Sequence, residues 1–573
     1  MERNTILAVV LSVLVLLVWY IVFPPSQPEV PQQAPQEVSP GVEQETSSSE
    51  TPSGMAPSGK AVIPSASGSH RQLSEDAEKI SVDTPLLSVV LTTEGARLLE
   101  WKLKAHQDTN EDLVDLVSND ARTLGLLPLQ VFTQDQSLTD ELNFGFYQAS
   151  VRTLTLEEED EPATISLSYE TEAGGIFTKT LTFSPDSYKV DITMQFSNVE
   201  QAGEALSVAW GPGAGNNLGF STRFQAEVTS KNREQSKLVR DAAKKIDGLM
   251  TRTNVEWAAI NRKYFTAAMF PENLSNTLSI NKIALSTEEE EEKIDPIRQM
   301  MIGISQPLQE GACRMSLYVG PKEYARLSAA YPGFEQLINY GTFWFIAKPL
   351  AAFMAFLYSY VKNYGLVIIC LTILIKILFY PLTHKSFQSM QKMQNLQPKL
   401  KAVQEKYKND KQAQQKAVME FYQKEGVNPM GSCLPMLLQI PVFFALYQTL
   451  LQSIELRGAI FLWIPDLSAP EPAFFGFFKP LVLLMGASMF LQQSMTPTTA
   501  DNKQAQMFKF LPILFTAMFW NFPSGLVLYW FMNNILTIGQ QYLIRKGGEK
   551  FSKTKDSTPK ESSSSRKRRK KAA

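Results

Sequence analysis

The chain has 573 residues and a formal net charge of −2, which allows several domains and is too evenly balanced to point to a partner by charge alone. Its three cysteines and three histidines are scattered, with no CxxC spacing, so neither a disulfide framework nor a zinc site is encoded. No metal or other cofactor is expected.

Residues 6–23 form an uncharged apolar run preceded by Arg3. No small-x-small cleavage site follows before Pro24-Pro25, so the run reads as an uncleaved signal anchor, with its N-terminus in the cytosol, over residues 1–23. Residues 24–75 are rich in Pro, Gln, Ser and Glu. They bury too little apolar surface to fold and read as a disordered linker.

Over residues 76–335 the texture is that of strands. Tyr188, Val190, Ile192, Met194 and Phe196 alternate with polar residues in strict period two, the pattern of a half-buried antiparallel strand. Phe177, Leu181 and Phe183 share one face of a strand at 176–183, joined to the next by the turn Ser184-Pro185-Asp186-Ser187. Further strands are expected at 86–92, 96–103, 163–169, 263–270 and 313–319. This spacing of turn signals predicts a large β-sandwich. The glycine-rich stretch 211–219 lacks the Lys-Ser/Thr of a phosphate loop and reads as a connection between strands. The acidic run 288–292 reads as a solvated loop. A short helix at 324–331 leads out, and residues 336–362 read as an amphipathic helix lying on the outer membrane surface.

Residues 363–383 hold the span on which the C-terminal half is organised, GLVIICLTILIKILFYPL (365–382). At 1.5 Å per residue it covers roughly 27 Å, enough to cross a hydrocarbon core. Lys376 inside it costs ~2.5–3.5 kcal/mol on insertion scales. Thr372 lies four residues before it on the same helix face, so the two make a polar stripe that suits a wet cavity. Residues 384–431 are helical and lysine-rich, which marks a cytosolic loop. Leu396, Leu400, Val403 and Tyr407 repeat at helical spacing before Asn409-Asp410-Lys411, and Ala417, Phe421 and Tyr422 form a second stripe. Together they predict a helical hairpin, on which Met390, Met393, Tyr407 and Phe421 are candidate contacts for a partner.

Within residues 432–543 the spans expected are 434–454, 481–495, 508–522 and 525–543, giving six in all with both termini cytosolic. Two of them are fifteen residues long, roughly 22 Å, so the bilayer thins around them. Met485, Met489 and Met518 on these spans suit a surface that accepts varied apolar partners. Gln439 and Asn533 add polar groups at membrane depth. Residues 544–573 form a basic cytosolic tail.

Several motifs carry a strong resemblance. NPMGSCLPMLLQIPVFFALYQTL (428–450), FYPLT (379–383), MTPTT (495–499) and FPSGLVLYW (522–530) resemble the signature segments of the YidC-type membrane protein insertases. The N-terminal anchor, large external domain, YVGPK (318–322) and basic tail resemble the Gram-negative form. The resemblance implies a multi-pass α-helical protein of the bacterial inner membrane: a five-span insertase core plus an anchor, with an all-β supersandwich in the periplasm. It implies no enzymatic reaction. It further implies insertion and folding of nascent membrane proteins through a hydrated, cytosol-facing groove, alone or with the Sec translocon, and with ribosomes as partners through the basic tail. Lys376, Thr372, Gln439, Trp530 and Asn533 are the expected groove residues. Two departures from the family pattern stand out: lysine at 376 where arginine is usual, and Trp530 where tyrosine is common. Two other classes remain open on the residues alone. A secondary transporter with an intramembrane lysine would show repeated halves, and a membrane-anchored sugar-acting enzyme would need paired carboxylates in the β domain.

Overall fold

The computed structural model describes residues 73–108, 111–198, 203–215, 226–234, 236–285, 295–426, 434–495 and 510–556. The expected N-terminal span, nearly all of the linker, the acidic run 288–292 and the tail beyond 556 lie outside the described residues, as do 428–433 and 496–499 of the motif segments and the first two residues of the span expected at 508–522.

The strand with strict alternation forms as Lys189–Phe196, burying Val190, Ile192, Met194 and Phe196 while Asp191 and Gln195 remain exposed. It pairs antiparallel with Ile176–Phe183 on one side and Ala312–Pro321 on the other. These three are the middle of a nine-stranded sheet that runs from Leu238–Ala242 at one edge to Gln148–Ala149 at the other. Two five-stranded sheets complete the domain, one built on Arg97–Gln107 and Leu87–Thr92, the other on Met300–Pro307 and Ala205–Trp210. All three share one core. Trp101 shows how: its ring lies 6.4 Å from Trp210 of the other small sheet and 6.4 Å from Phe183 of the large one. Its indole N–H donates to the Val319 carbonyl at 2.9 Å.

The face that carries Phe177, Leu181 and Phe183 has a fourth member that does not follow from hydrophobicity. Lys179 is fully buried there. Its Nζ donates to the carbonyls of Gly95 (2.7 Å), Leu129 (2.9 Å) and Ala96 (3.4 Å), tying the large sheet to the loops beside a small one. Burial drives its pKa well below the usual lysine value, with Arg97 acting in the same direction. The glycine-rich connection, described over 211–215, turns carbonyls inward rather than amides outward. Buried Arg262 donates to Ala214 O at 2.8 Å and Gly215 O at 3.0 Å, so the loop is not arranged as an anion cradle. Two short helices interrupt the β domain where none was expected: α1 (Asn119–Leu124), capped by Ser118, and α2 (Gln136–Phe144), capped by Asp135. Each is too short for its periodicity to stand out.

Helix α3 (Tyr324–Ala330) leads out of the domain, and α4 (Trp344–Val361) follows, with Lys348 3.4 Å from Glu335. Helix α5 (Tyr364–Lys406) is continuous for 43 residues, running from the expected span into the expected hairpin without a break at 383. Its two internal prolines, Pro381 and Pro398, are both exposed. At 1.5 Å per residue it is ~64 Å long, about twice a hydrocarbon core, so a large part of it projects beyond one. Helix α6 (Lys411–Lys424) folds back along α5, its first turn capped by the Asp410 carboxylate. Met393, Leu400 and Tyr422 form a small core between the two helices.

The remaining helices are α7 (Leu434–Gln452), α8 (Pro480–Met495), α9 (Leu511–Met518) and α10 (Ser524–Asp556). With α4 and the first turns of α5 they enclose a second core around Ile368, Leu371, Leu446, Met485 and Val527. By length and composition α4 and α5 are each sufficient to cross a membrane.

Candidate functional site

The polar residues of the helical core meet along one face of α10. Asn533, Thr537 and Gln540 fall at i, i+4 and i+7, a spacing that stacks them on a single side of a helix. Each reaches a different polar group. Lys376 Nζ on α5 donates to Thr537 Oγ1 at 2.8 Å, and Gln540 Nε2 donates to Thr383 Oγ1 at 2.6 Å, two turns further along α5. Gln439 Nε2 on α7 donates to Asn533 Oδ1 at 3.2 Å. Next to this face, Asn534 Nδ2 donates to Ser488 Oγ on α8 at 3.0 Å. Three helices are thus laced to α10 by side-chain hydrogen bonds.

Lys376 is half-buried. An ammonium has three protons to donate, and Thr537 is the one acceptor found for it among the described residues. No carboxylate pairs with it among those residues. The middle rung of the ladder is therefore a cation with capacity to spare.

The expected groove residues do not all gather here. Lys376, Gln439 and Asn533 belong to the ladder. Thr372 is buried, and its hydroxyl donates back to Ile368 O of its own helix at 2.6 Å, so it offers no free polar group to a cavity. Trp530 packs in an aromatic cluster, 4.8 Å from Phe443, 5.1 Å from Phe519 and 5.8 Å from Phe515. These ring contacts join α7, the α9 region and α10. Met485 is fully buried in the helical core, while Met489 and Met518 pack against its edge. Of the hairpin candidates, Met393 is buried and Phe421 packs beside it, whereas Met390 and Tyr407 are half-buried. Sequence reading passed over Thr383, Thr537 and Gln540. The signal that finds them is the spacing of Asn533, Thr537 and Gln540 inside an apolar run.

Close approach of α8 and α9 depends on Gly486. A Cβ there would stand 2.2 Å from Thr516 Oγ1, a distance no side chain can accept, so a bare backbone at this position is what lets these two short helices touch.

Comparison with known proteins agrees with this architecture. Residues 79–353 match the family model described as the YidC periplasmic domain, and residues 356–552 match that described as the 60Kd inner membrane protein. The membrane protein insertase YidC of Syntrophus aciditrophicus is 38% identical over 566 residues, covering 95% of this chain and 100% of that protein. The membrane protein insertase YidC of Pelobacter propionicus is 38% identical over 562 residues, covering 95% and 99%. A crystal structure of an active YidC insertase with its first transmembrane domain resolved overlaps at a TM-score of 0.36 and 18% identity, over 82% of this chain and 94% of that one, an overlap too loose to argue from. These relatives lend no support to the transporter alternative. A protein with a periplasmic β domain followed by this helical core, alike along nearly its whole length to proteins so named, belongs to the YidC family of membrane protein insertases.

Proposed function

We propose that this protein inserts nascent proteins into the bacterial inner membrane, with the Lys376 ladder as the polar wall of a hydrated groove open to the cytosol. The observation that carries the reading is an ammonium at membrane depth with one hydroxyl partner and no carboxylate among the described residues. A charge in that setting is costly unless it meets water or an anion. A client's polar, acidic flank supplies the anion, and water in the groove spares that flank the desolvation cost of crossing hydrocarbon. The apolar segment then leaves the groove for lipid, where burial of its surface drives the step. The hairpin of α5 and α6 receives the client at the cytosolic entrance.

Six spans fit this reading: residues 6–23, the first half of α5, α7, α8, residues 508–522, of which α9 is the helical middle, and the first half of α10, with both termini in the cytosol and the β domain outside. Helix α4 then lies along the outer surface. Met489 and Met518, at the edge of the core, are the apolar surface past which the client slides. The Sec translocon is a partner for larger clients. Ribosomes are a partner through the basic tail, whose lysines and arginines suit RNA phosphates. No covalent chemistry is involved.

The test reconstitutes the full chain into liposomes and follows protease protection of a short client whose external segment is acidic. Wild type inserts it, and Lys376→Ala is expected to lose most of that insertion while inserting a client with a neutral external segment at close to the wild-type rate. Equal insertion of the acidic client by both proteins refutes the role given to Lys376. Failure of both removes the autonomous activity.

A further inference from the structure

The loop that joins α7 to α8 has its polarity inverted relative to a loop in water. Its charged groups between 455 and 479 are engaged by the protein: Glu471 and Lys479 are buried, and Glu455, Arg457 and Asp466 are half-buried. Glu471 is 1% exposed, and its carboxylate accepts the N–H groups of Leu481 (2.9 Å) and Val482 (3.1 Å) at the start of α8 and the indole N–H of Trp463 (2.7 Å). Lys479 is 7% exposed, and its Nζ donates to Trp520 O at 2.7 Å. Arg457 donates to Gln107 O in the β domain at 2.6 Å. Glu455 accepts from Ser453 Oγ at 2.7 Å, and Asp466 accepts the Ser468 N–H at 2.7 Å.

The apolar groups point outward instead. Phe475 is 94% exposed and Phe477 72%, flanked by Phe474 and Phe478 at 39% and 43%. These residues form a closed turn, in which Phe474 and Phe478 exchange backbone hydrogen bonds of 2.7 and 2.8 Å. Gly476, at φ +82°, supplies a left-handed position that the turn requires. A second turn, closed by Phe461 and Ile464, displays Ile460 and Leu462 at 65% and 72% exposure.

The base of the phenylalanine turn is fixed. Glu471 and Lys479 hold its two ends, and Ser524 N donates to Ala469 O at 2.8 Å, tying the loop to the start of α10. Its tip is uncharged from Pro472 to Phe478. The tip continues directly into α8, whose Leu483, Leu484, Phe490 and Leu491 are also exposed. An apolar surface displayed by a rigid, internally satisfied base, and continuous with the outward face of a spanning helix, fits hydrocarbon as its solvent.

We propose that the turn Phe474–Phe478 is a wedge inserted in the outer leaflet at the end of α8, with lipid acyl chains as its occupant. The side follows from contact with the β domain through Arg457, which places this loop at the periplasmic face. Helix α8 has 16 residues, ~24 Å of rise, short of a ~30 Å core. The rings thus fill the depth that the helix does not reach.

The experiment replaces Phe475 with the photoreactive benzoylphenylalanine in the full chain, reconstituted in phospholipid nanodiscs, and reads adducts by intact mass. Leu484 on α8 serves as the lipid-facing reference, which separately tests the bilayer placement of that helix, and Glu310 in a β-domain turn serves as the aqueous reference. The expected result is a mass shift of one phospholipid at 475, at a yield like that at 484 and absent at 310. A lipid yield at 475 no greater than at 310 overturns the proposal. So does a polypeptide adduct at 475, which would make the turn a contact for a second copy or a client.

Discussion

Lys376 donates to Thr537, and the geometry asks only for a cation that can reach that hydroxyl. Arginine reaches as far and keeps its charge, so Lys376→Arg is expected to retain insertion of acidic clients. Lys376→Ala removes the cation proposed to meet the client's acidic flank, a charged contact of ~1.5–3 kcal/mol, about tenfold or more in initial rate. Liposome insertion rates of the two variants check this. Lys179 differs in kind. It is buried, and three carbonyls surround its ammonium. Lys179→Ala leaves those carbonyls without their donor in a packed core, at a cost of ~2–4 kcal/mol. A clear fall in the thermal midpoint of the β domain is expected, with insertion retained at temperatures where the variant is folded. At this scale hydrophobic pattern misleads in both directions. Lys179 sits at a core position that its chemistry disguises, and Thr372 shares a helix face with Lys376 yet is closed off by its own Ile368 carbonyl.

The helical elements are held by local devices that can be tested one at a time. Glu471 satisfies two of the N–H groups that α8 leaves unpaired at its start, and Trp463 as well. Glu471→Ala orphans the two buried N–H groups of Leu481 and Val482 and the half-buried indole N–H of Trp463, so a loss of ~2–4 kcal/mol is expected, read as a lower thermal midpoint in nanodiscs. The α5–α6 hairpin rests on Met393, Leu400 and Tyr422. Leu400→Ala should weaken it by about 2–4 kcal/mol. Faster hydrogen exchange confined to Lys411–Lys424 and the facing end of α5 would show this, with the membrane core unchanged. The periodicity of both hairpin helices was legible because charged residues flank each apolar stripe. The continuity of α5 through Pro381 was not, because a proline lacks the N–H for its own turn and crowds the carbonyl four residues before it, and so signals a boundary that this long helix overrides.

The two halves of the molecule share an apolar contact through Ala347, Ala445 and Ile454 and a polar one around Arg457. Arg457 stands over the Phe265 ring at 5.4 Å, and His106 meets the same ring edge-on at 5.5 Å, with its Nε2 3.7 Å from Glu323. Burial, then the positive charge of Arg457, pushes the His106 pKa down to about 4. Glu323 moves the other way, its pKa raised by burial and then by Glu455. Because folded His106 binds its proton less readily than an ordinary histidine, the unfolded chain takes up more protons below about pH 6.5. Stability from this residue is therefore complete above that pH and is lost on acidification toward pH 4, by a few kcal/mol. His106→Gln should flatten that part of the dependence while leaving that of Glu323, which has the opposite sign. The difference between wild-type and variant thermal midpoints across this range is the measurement.

The sequence by itself determined the division into a β domain and an apolar helical core, the principal strands and the hairpin. These depend on period-two and helical patterns, which are local. Signature segments of the membrane half carried the family. Only the tertiary structure decided which polar residues meet. Asn533 and Gln439 are 94 positions apart and Lys376 and Thr537 161 apart, and such pairings depend on how helices pack rather than on any local pattern. It likewise decided that Glu471 and Lys479 of the α7–α8 loop are buried while its phenylalanines face outward, since burial belongs to the folded chain and not to the residue.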